Sequence, residues 1–312
     1  MSLIVRNPGM QTTLQGRLRK NYRHFGVPWS GPADPLSLSL ANRLVGAPAD
    51  QLGLEITLTG AEFEFTEAVS FALTGAEAKA ALSGRDVQSH LSYTAKPGDI
   101  LKIGPAEGGA RTYLALSAQL QAEEFLGSSS TYLPAGFGGL QGRALKEGDV
   151  LEFSDIWQAD AAETPTELRP HFNDAFLLQV CEGPDFGMIS QSSGQQLFDS
   201  AFKATQRSSR MGLELKGEAI SIEGDVSRAS SAVFPGCVQC PPDGNPFVLL
   251  ADAQTTGGYP HILQVIRSDR FQLGQIKPGA TVHFVRRSPQ DAMERYRTRL
   301  EVYSDWMSSP II

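Results

Sequence analysis

The sequence has few cysteines, no excess of basic residues and no long hydrophobic run. Its 312 residues include only 3 cysteines, and an odd number excludes a complete set of intramolecular disulfides and favours a reducing compartment. Lys and Arg number 27 against 34 Asp and Glu, and the net charge of -7 argues against a nucleic-acid-binding protein. No stretch approaches the ~20 apolar residues of a membrane-spanning helix, and the N-terminus lacks a signal-peptide run. We therefore expect a cytoplasmic protein.

Residues that commonly ligate metals are also sparse. The 5 histidines show no metal-ligand spacing. Cys237 and Cys240 are spaced as in redox or zinc motifs, but no second Cys or His pair accompanies them. We predict no metal site. A small basic cluster near the N-terminus is interpreted as a solvated face; its members are Arg17, Arg19, Lys20 and Arg23.

Polar and apolar residues alternate with period two over much of the chain, for example at 61–65 and 111–116. Lys-x-Gly turns lead into apolar strands at 96–101, 146–151 and 277–282, as expected where hairpins open onto core strands. Short strands with regular turns are typical of barrels and sandwiches. The sequence therefore predicts a mainly β fold with a few helices.

Two helices stand out from this pattern. The first begins at Asp34, a helix-capping residue type, and stops at Gly46. The second begins with a capping-box variant formed by Ser288 and Asp291, and Met293 opens its apolar stripe. Both are expected to be packing helices.

A change in composition suggests two domains. Residues 158–167 are rich in Ala, Glu and Thr and contain no large apolar residue, which predicts an exposed connection. The resulting division is an N-terminal β-rich domain, 1–157, and a C-terminal β-barrel domain with a C-terminal helix, 168–312. A weak internal repeat relates 53–56 to 212–215 and supports two related units.

The segment 240–260 contains the strongest candidate site: a turn, a buried strand and then a polar loop. The loop brings a carboxylate, an amide, hydroxyls and glycines into immediate succession, as Asp252, Gln254, Thr255, Thr256, Gly257, Gly258 and Tyr259. The glycine amides and threonine hydroxyls can donate to a developing oxyanion, and the aspartate can serve as a base or as an orienting group. The alternative is a structurally demanding corner between strands.

Three other loops are weaker candidates for ligand sites. Ser30 to Asp34 precede the first helix and could bind an anion through free helix amides, although Asp34 as the cap satisfies some of them. The glycine-rich stretches 127–131 and 136–143 match neither a P-loop nor a dinucleotide fingerprint, and loop structure is the better interpretation.

Distinctive motifs extend along nearly the whole chain up to about Phe284. They are Ser30-Gly31-Pro32-Ala33-Asp34-Pro35, Ala41-Asn42-Arg43-Leu44-Val45-Gly46, Leu54-Glu55-Ile56-Thr57-Leu58, Ala72-Leu73-Thr74-Gly75-Ala76, Arg111-Thr112-Tyr113-Leu114-Ala115, Gly138-Gly139-Leu140-Gln141-Gly142-Arg143, Arg210-Met211-Gly212 and Pro241-Pro242-Asp243-Gly244 through Gly257-Gly258-Tyr259-Pro260. Together they resemble the family of 5-oxoprolinase C subunits, also described as allophanate hydrolase subunit 2 or biotin-dependent carboxyltransferase-like proteins.

This resemblance implies two cyclophilin-like β-barrel units and a complex of several subunits. The expected partners are the B subunit, which is kinase-inhibitor-like and similar to allophanate hydrolase subunit 1, and the A subunit of 5-oxoprolinase. Such complexes open 5-oxoproline to glutamate at the expense of ATP. Because this chain has no nucleotide-binding motif, ATP with Mg²⁺ is expected through the complex, and biotin only on a partner chain if at all.

The resemblance and the loop chemistry together define the candidate site. The expected catalytic residues are Asp252, Thr255, Thr256 and Tyr259, and the expected substrate-binding residues are Gln239, Gln254, Gly257, Gly258, Ser30, Asp34 and Arg210. The chain departs from the family where acids are usual, at Gly16, Ser209 and Ser231.

Two alternatives to the hydrolase stay open from the sequence. One is a biotin-dependent carboxyltransferase half that acts on urea or a related amide. The other is a catalytically silent regulatory partner protein, which the missing acids at Gly16, Ser209 and Ser231 would explain.

Overall fold

The computed structural model describes residues 1–223 and 229–307, and it confirms a mainly β chain. The chain divides into two compact units. Unit 1 contains Met1–Arg19, Ser30–Phe172 and the described residues from Tyr303 on, and unit 2 contains Lys20–Trp29 and Asn173–Val302. Thr164, in the segment expected to be an exposed connection, is fully buried in unit 1, so that expectation is wrong there. The domain bounds 1–157 and 168–312 stay a prediction.

Strands β1–β12 of unit 1 form two sheets. They are β1 Ser2–Asn7, β2 Gln11–Gln15, β3 Gly53–Thr57, β4 Glu62–Phe65, β5 Val69–Glu77, β6 Ala80–Leu82, β7 Arg85–Val87, β8 Ser92–Ala95, β9 Ile100–Ile103, β10 Gly108–Leu116, β11 Gln119–Leu120 and β12 Val150–Ser154. One sheet has the order β11-β12-β1-β4-β9-β6-β7 and the other the order β2-β3-β10-β5-β8. The core between them includes Leu3, Phe63 and Phe65 from the first sheet and Leu14 and Phe71 from the second.

Helix α1, Pro35–Leu44, covers the other face of the five-stranded sheet. Its buried residues pack with Ala72 and Tyr113 of that sheet, which is why β5 is buried on both faces. The Asp34 side chain accepts a hydrogen bond from the Ser37 amide at 2.9 Å and caps the helix. Gly46 follows the helix at a φ of 69°. The predicted start and stop of this helix are confirmed.

Strands β13–β21 belong to unit 2, and seven of them close a barrel. They are β13 Ala175–Glu182, β14 Phe202–Ser208, β15 Gly212–Lys216, β16 Ser231–Ala232, β17 Cys237–Gln239, β18 Phe247–Leu249, β19 Thr256–Gly257, β20 His261–Val265 and β21 Thr281–Arg286. The barrel order is β13-β20-β17-β18-β15-β14-β21, and β16 and β19 form a separate two-stranded sheet. The barrel therefore supplies a rigid base for the loop between β18 and β20.

Two further helices are described, α2 Gln191–Asp199 and α3 Pro289–Ser304. The predicted capping box of α3 is confirmed, because the Asp291 amide donates to Ser288 Oγ and the Ser288 amide donates to the Asp291 carboxylate. Met293 of α3 is 52% exposed, so its assignment to a packed stripe is wrong. The sequence did not predict α2.

Short 3₁₀ helices complete the described elements at Arg23–Phe25, Leu133–Ala135, Thr166–Leu168, Phe186–Met188 and Arg267–Gln275. Across 1–223 and 229–307, none of the helices combines the length and the apolar character that crossing a membrane requires.

Candidate functional site

The polar loop of unit 2 leaves the barrel after β18 and returns to it at β20. On the way it forms β19, in which Thr256 pairs with Ala232 and Gly257 pairs with Ser231. Thr256 is exposed, and the Tyr259 side chain is 50% exposed. The loop therefore presents two hydroxyl-bearing side chains to solvent from a backbone that is tied down on one side.

A buried ion pair anchors the start of this loop. The carboxylate of Asp252 accepts hydrogen bonds from Arg210 Nε at 2.8 Å and from Arg210 Nη2 at 3.0 Å. The two side chains are 0% and 3% exposed, respectively. The Asp252 amide also donates to the Arg210 carbonyl. Because the carboxylate is buried and bidentate with a guanidinium, its geometry supports the orienting role rather than that of a solvent-facing base.

Gln239 of β17 holds the far end of the loop. Its Nε2 donates to the Tyr259 carbonyl at 3.1 Å, and its Oε1 accepts from Gln254 Nε2 at 3.5 Å. The residue is 2% exposed. The structure thus brings together four residues predicted from the sequence: Gln239, Gln254, Gly257 and Tyr259.

Gly257 is needed for this arrangement. A Cβ atom at this position would lie 2.5 Å from Gln239 Nε2 and 3.2 Å from Gln239 Oε1. We expect Gly257→Ala to displace the Gln239 amide, release the Tyr259 carbonyl and lower activity by about tenfold, while one lost hydrogen bond costs about 1 kcal/mol of stability. Thermal denaturation measures the loss of stability, and NMR of the Gln239 side-chain amide measures its displacement. A turnover assay measures the loss of activity.

Gly187 is the matched control for this substitution. It lies in the same unit, and no atom lies within 4 Å of a Cβ built on it. Gly187→Ala should leave both the amide signal and the activity unchanged. Identical behaviour of the two alanine variants would show that the close approach at Gly257 has no consequence.

Arg23 binds the backbone directly after β16, the strand that pairs with the loop. It donates to the Val233 carbonyl, and the Val233 amide donates to the Thr255 carbonyl at 3.1 Å. The Arg23 guanidinium carbon lies 4.9 Å from the ring centroid of Trp29 and 5.1 Å from that of Phe234. Burial lowers the pKa of Arg23. Arg23 therefore packs against two aromatic rings rather than lying on a solvated face.

Ser30 and Asp34, the remaining predicted site residues, belong to unit 1 and so are described apart from the loop of unit 2. Asp34 is 0% exposed and serves as the α1 cap. Ser30 is 2% exposed and has a φ of 52°, and within the described part of the chain its Oγ has no hydrogen-bond partner. Left-handed backbone at a serine and a buried unsatisfied hydroxyl are both features of functional loops.

A buried network that the sequence analysis did not assign holds the Ser30–Asp34 loop. Glu55 Oε2 accepts hydrogen bonds from the Ala33 amide and from Tyr113 Oη, both at 2.8 Å, and the Asp34 amide donates to Tyr113 Oη. Arg111 Nε lies 3.3 Å from Glu55 Oε1. Burial, followed by the charges of Glu55 and Asp34, raises the pKa of Tyr113 well above its usual value. The signal in the sequence was an acid inside an otherwise buried strand.

Asp185 is another residue near the candidate loop that the sequence did not single out. Its Oδ2 accepts a hydrogen bond from the His261 amide at 2.8 Å, and its own amide donates to the His261 carbonyl at 3.1 Å. His261 is 8% exposed and directly follows Pro260 of the predicted motif. The available signal was a Gly-Pro-Asp sequence after β13. This sequence is ordinary turn chemistry, so it did not single out the aspartate.

Arg19 contradicts the predicted solvated basic face. Its side chain is fully buried in unit 1, where it donates to the Phe125 carbonyl at 2.9 Å and to the Ser130 carbonyl at 3.0 Å. Its guanidinium carbon lies 4.6 Å from the ring centroid of Phe137. The charge is tolerated inside the protein because backbone carbonyls and an aromatic face replace water.

The two glycine-rich loops form hydrogen bonds within the protein. Several of their amides donate within the protein, for example from Gly139 to the Ser129 carbonyl at 2.8 Å and from Thr131 to the Leu14 carbonyl at 3.0 Å. A phosphate cradle requires amides that are free to face the ligand. Within the described residues, no three His, Cys, Asp or Glu side chains are grouped so that they could hold a metal ion.

Cys237 and Cys240 are buried free thiols on and beside β17. Burial raises the pKa of each thiol to about 12. Because the thiolate is the reactive form, neither residue is poised as a nucleophile at neutral pH.

Comparisons with known proteins agree with these motifs. The family described as carboxyltransferase domain, subdomain A and B, matches residues 25–286. The C subunit of 5-oxoprolinase from Escherichia coli is 35% identical over 294 residues, which cover 94% of each chain. Urea amidolyase of Saccharomyces cerevisiae is 31% identical over 89% of this chain, but the match covers only 16% of that much longer protein.

A solved structure supports the same relationship. The crystal structure of Kluyveromyces lactis urea carboxylase superposes with a TM-score of 0.92 at 27% identity, over 100% of this chain and 30% of that one. The equivalent region is thus one part of a larger assembly in some relatives, either as a named subunit or within a longer chain. The chain belongs to the family that its motifs predicted, the carboxyltransferase-domain proteins that include the C subunit of 5-oxoprolinase.

Proposed function

We propose that this chain is the C subunit of a 5-oxoprolinase-type amide hydrolase, which opens 5-oxoproline to glutamate with ATP. The observation that carries the proposal is the similarity to the Escherichia coli C subunit of 5-oxoprolinase over 94% of both chains. The A and B subunits as partners, and a cytoplasmic location, are part of the same proposal. The urea-related relatives match over a small part of their own length, which gives less support for the carboxyltransferase alternative.

The chemistry assigned to this chain is recognition of the amide. An amide carbonyl is a poor electrophile, so its activation requires donors placed where negative charge develops on oxygen. The exposed hydroxyls of Thr256 and Tyr259, together with the Gly258 amide, are the donors assigned to that oxygen. Asp252 and Gln239 hold the two ends of the loop and act as positioning residues.

Nucleotide chemistry is assigned to the rest of the complex. Several amides of the glycine-rich loops are engaged within unit 1 and the chain has no nucleotide-binding motif, so no step is assigned to ATP or Mg²⁺ on this chain. Any biotin is likewise assigned to a partner chain.

The test is ADP and glutamate release by this protein mixed with purified candidates for the A and B subunits, with and without 5-oxoproline. We expect both products only with substrate and with all three chains. Tyr259→Phe should lower kcat/KM by about 10²-fold, as for removal of one oxyanion donor. Tyr296→Phe, a tyrosine of α3 that packs against Arg267, is the matched control and should leave turnover unchanged.

Three outcomes would count against the proposal. An intact three-chain complex without substrate-dependent ADP would exclude the hydrolase. Urea-dependent turnover with a biotinylated partner would favour the carboxyltransferase, and a biological effect that survives Tyr259→Phe and Asp252→Ala would favour a regulatory partner.

A further inference from the structure

Unit 1 contains a cleft of about 360 Å³ on the side of β5 and β7. Its volume lies within the usual range of small-ligand sites, roughly 300–1,000 Å³. Charged and titratable side chains contribute much of the lining, and they are Glu77, Lys79, His90, Glu107, Arg169 and His171. The cleft shares no residue with the candidate site described above.

Thr164 fixes the orientation of two cationic or potentially cationic side chains in this cleft. Its Oγ1 lies 3.3 Å from His90 Nδ1, and its amide donates to the His90 carbonyl at 3.0 Å. Its own carbonyl accepts from Arg169 Nε at 2.8 Å. Thr164 is fully buried, so one immobile residue positions both the imidazole and the guanidinium.

One nitrogen of each side chain remains available. Arg169 uses Nε for Thr164 and Nη2 for Glu163, and Nη1 makes no hydrogen bond within 1–223 and 229–307. His90 uses Nδ1, and its Nε2 likewise makes none with those residues. When Thr164 donates to Nδ1, the ring proton lies on Nε2, so both free nitrogens are donors.

The backbone conformation of His90 also indicates a ligand-binding position. Its φ is 66°, in the left-handed region that residues other than glycine uncommonly adopt, and such residues cluster at ligand-binding positions. The His90 amide donates to the Leu73 carbonyl at 2.7 Å, so the surrounding structure enforces this conformation. An asparagine would be accepted at this φ without the imidazole.

The balance of charge selects a monoanion. Burial, followed by the charges of Arg169 and His171, lowers the pKa of His90 to about 4, so the ring is neutral at pH 7. Arg169 already faces Glu163. Lys79 and Glu107 pair with each other at 3.8 Å, with exposures of 90% and 60%, and Glu77 is exposed. One partly compensated guanidinium and a neutral imidazole suit a single negative charge better than a phosphate dianion.

We propose that this cleft binds a small carboxylate that carries a single net negative charge, with one oxygen of a carboxylate group on Arg169 Nη1 and the other on His90 Nε2. The proposal concerns unit 1 alone and does not depend on the reaction of the complex.

The test is NMR of the full chain, with the His90 ring signals followed during titration with sodium acetate, L-glutamate or inorganic phosphate. Sodium chloride controls for ionic strength. We expect saturable shifts of the His90 signals with acetate and with glutamate. Bound acetate should also raise the pKa of His90. The reason is that a negative charge beside the ring stabilises the imidazolium, opposes the repulsion from Arg169 and His171, and adds to the charges of Glu77 and Glu107.

Two variants locate the site. Arg169→Gln and His90→Asn should each weaken acetate binding at least tenfold. Arg85→Gln, which removes an exposed arginine of the same unit that pairs with Asp99, should not. Thermal denaturation shows whether each variant is folded. If Arg169→Gln is not folded, the response of the His90 signals to acetate in the unaltered chain decides whether the cleft binds a carboxylate.

Three results would overturn the proposal. These are unchanged His90 signals at saturating acetate and glutamate, tighter binding of phosphate than of either carboxylate, and undiminished acetate binding by folded Arg169→Gln.

Discussion

Asp252→Asn is expected to destabilise the protein by about 3–5 kcal/mol and to abolish amide-dependent turnover. The substitution removes the charge of the carboxylate that binds the Arg210 guanidinium, 3% exposed, and breaking a buried ion pair at one partner has a cost of that size. The loop that carries Thr256 and Tyr259 would lose its anchor at the same time. Chemical denaturation of the isolated chain measures the first effect, and ADP release by the reconstituted complex measures the second.

Asp174→Asn is the control for Asp252→Asn. Asp174 pairs with Lys277 at 2.9 Å but is 73% exposed, so we expect a change below about 1 kcal/mol. The double variant Arg210→Met with Asp252→Leu should recover part of the stability lost in the single variant, because it replaces both members of the buried ion pair with apolar side chains. Turnover should not recover. A fully stable and active Asp252→Asn protein would contradict the anchoring role.

Glu55→Gln is expected to cost about 3 kcal/mol and to loosen the loop before α1. The amide oxygen of glutamine can still accept from the Ala33 amide and Tyr113 Oη, so the change isolates the loss of the charge opposite Arg111. With a weaker acceptor, the Ala33 amide should exchange its hydrogen faster. Chemical denaturation and amide hydrogen exchange measure the two effects.

Glu62→Gln serves as the control for Glu55→Gln. Glu62 pairs with Lys102 at 3.1 Å and is 34% exposed, so its loss should change stability by less than about 1 kcal/mol. Unaltered exchange at Ala33 in Glu55→Gln would show that the carboxylate does not hold the loop.

The elements with strong local signals were predictable from the sequence. The three Lys-x-Gly turns lead into β9, β12 and β21, as expected, and their glycines, Gly98, Gly148 and Gly279, all have left-handed φ. In the first turn, the Asp99 carboxylate accepts from the Lys96 amide at 2.9 Å. Such turns depend on neighbouring residues only, so periodicity and turn chemistry identify them.

Elements that depend on distant contacts were not predictable. Helix α2 has a polar sequence rich in Ser, Gly and Gln, which is typical of a loop, and only its Ser190 cap gives a local signal. The sequence places Arg19 on the surface because arginine is rarely buried, whereas carbonyls more than a hundred residues away surround it. No local pattern indicates such partners.

In the candidate loop, too, some features were predictable from local sequence and others depend on distant contacts. Its position after a buried strand followed from local composition, but the pairing of Asp252 with Arg210 and of Gln239 with Tyr259 required the barrel. Position 16, where the family usually has an acid, is crowded by residues that are distant in the sequence. A Cβ on Gly16 would lie 3.0 Å from the Asp50 carbonyl oxygen and from Leu52 Cα, so the backbone leaves little room for a side chain.

The closure of the barrel by its first and last strands has a consequence during synthesis. β13 pairs in parallel with β21, with Ala175 opposite Thr281, and β21 also pairs with β14. A ribosome that adds about 5–20 residues per second requires several seconds to pass from β13 to β21. During that interval the edges of β13 and β14 that later pair with β21 stay open, and open sheet edges invite pairing with other chains. The nascent barrel therefore depends on prompt completion, or on a chaperone, to avoid aggregation.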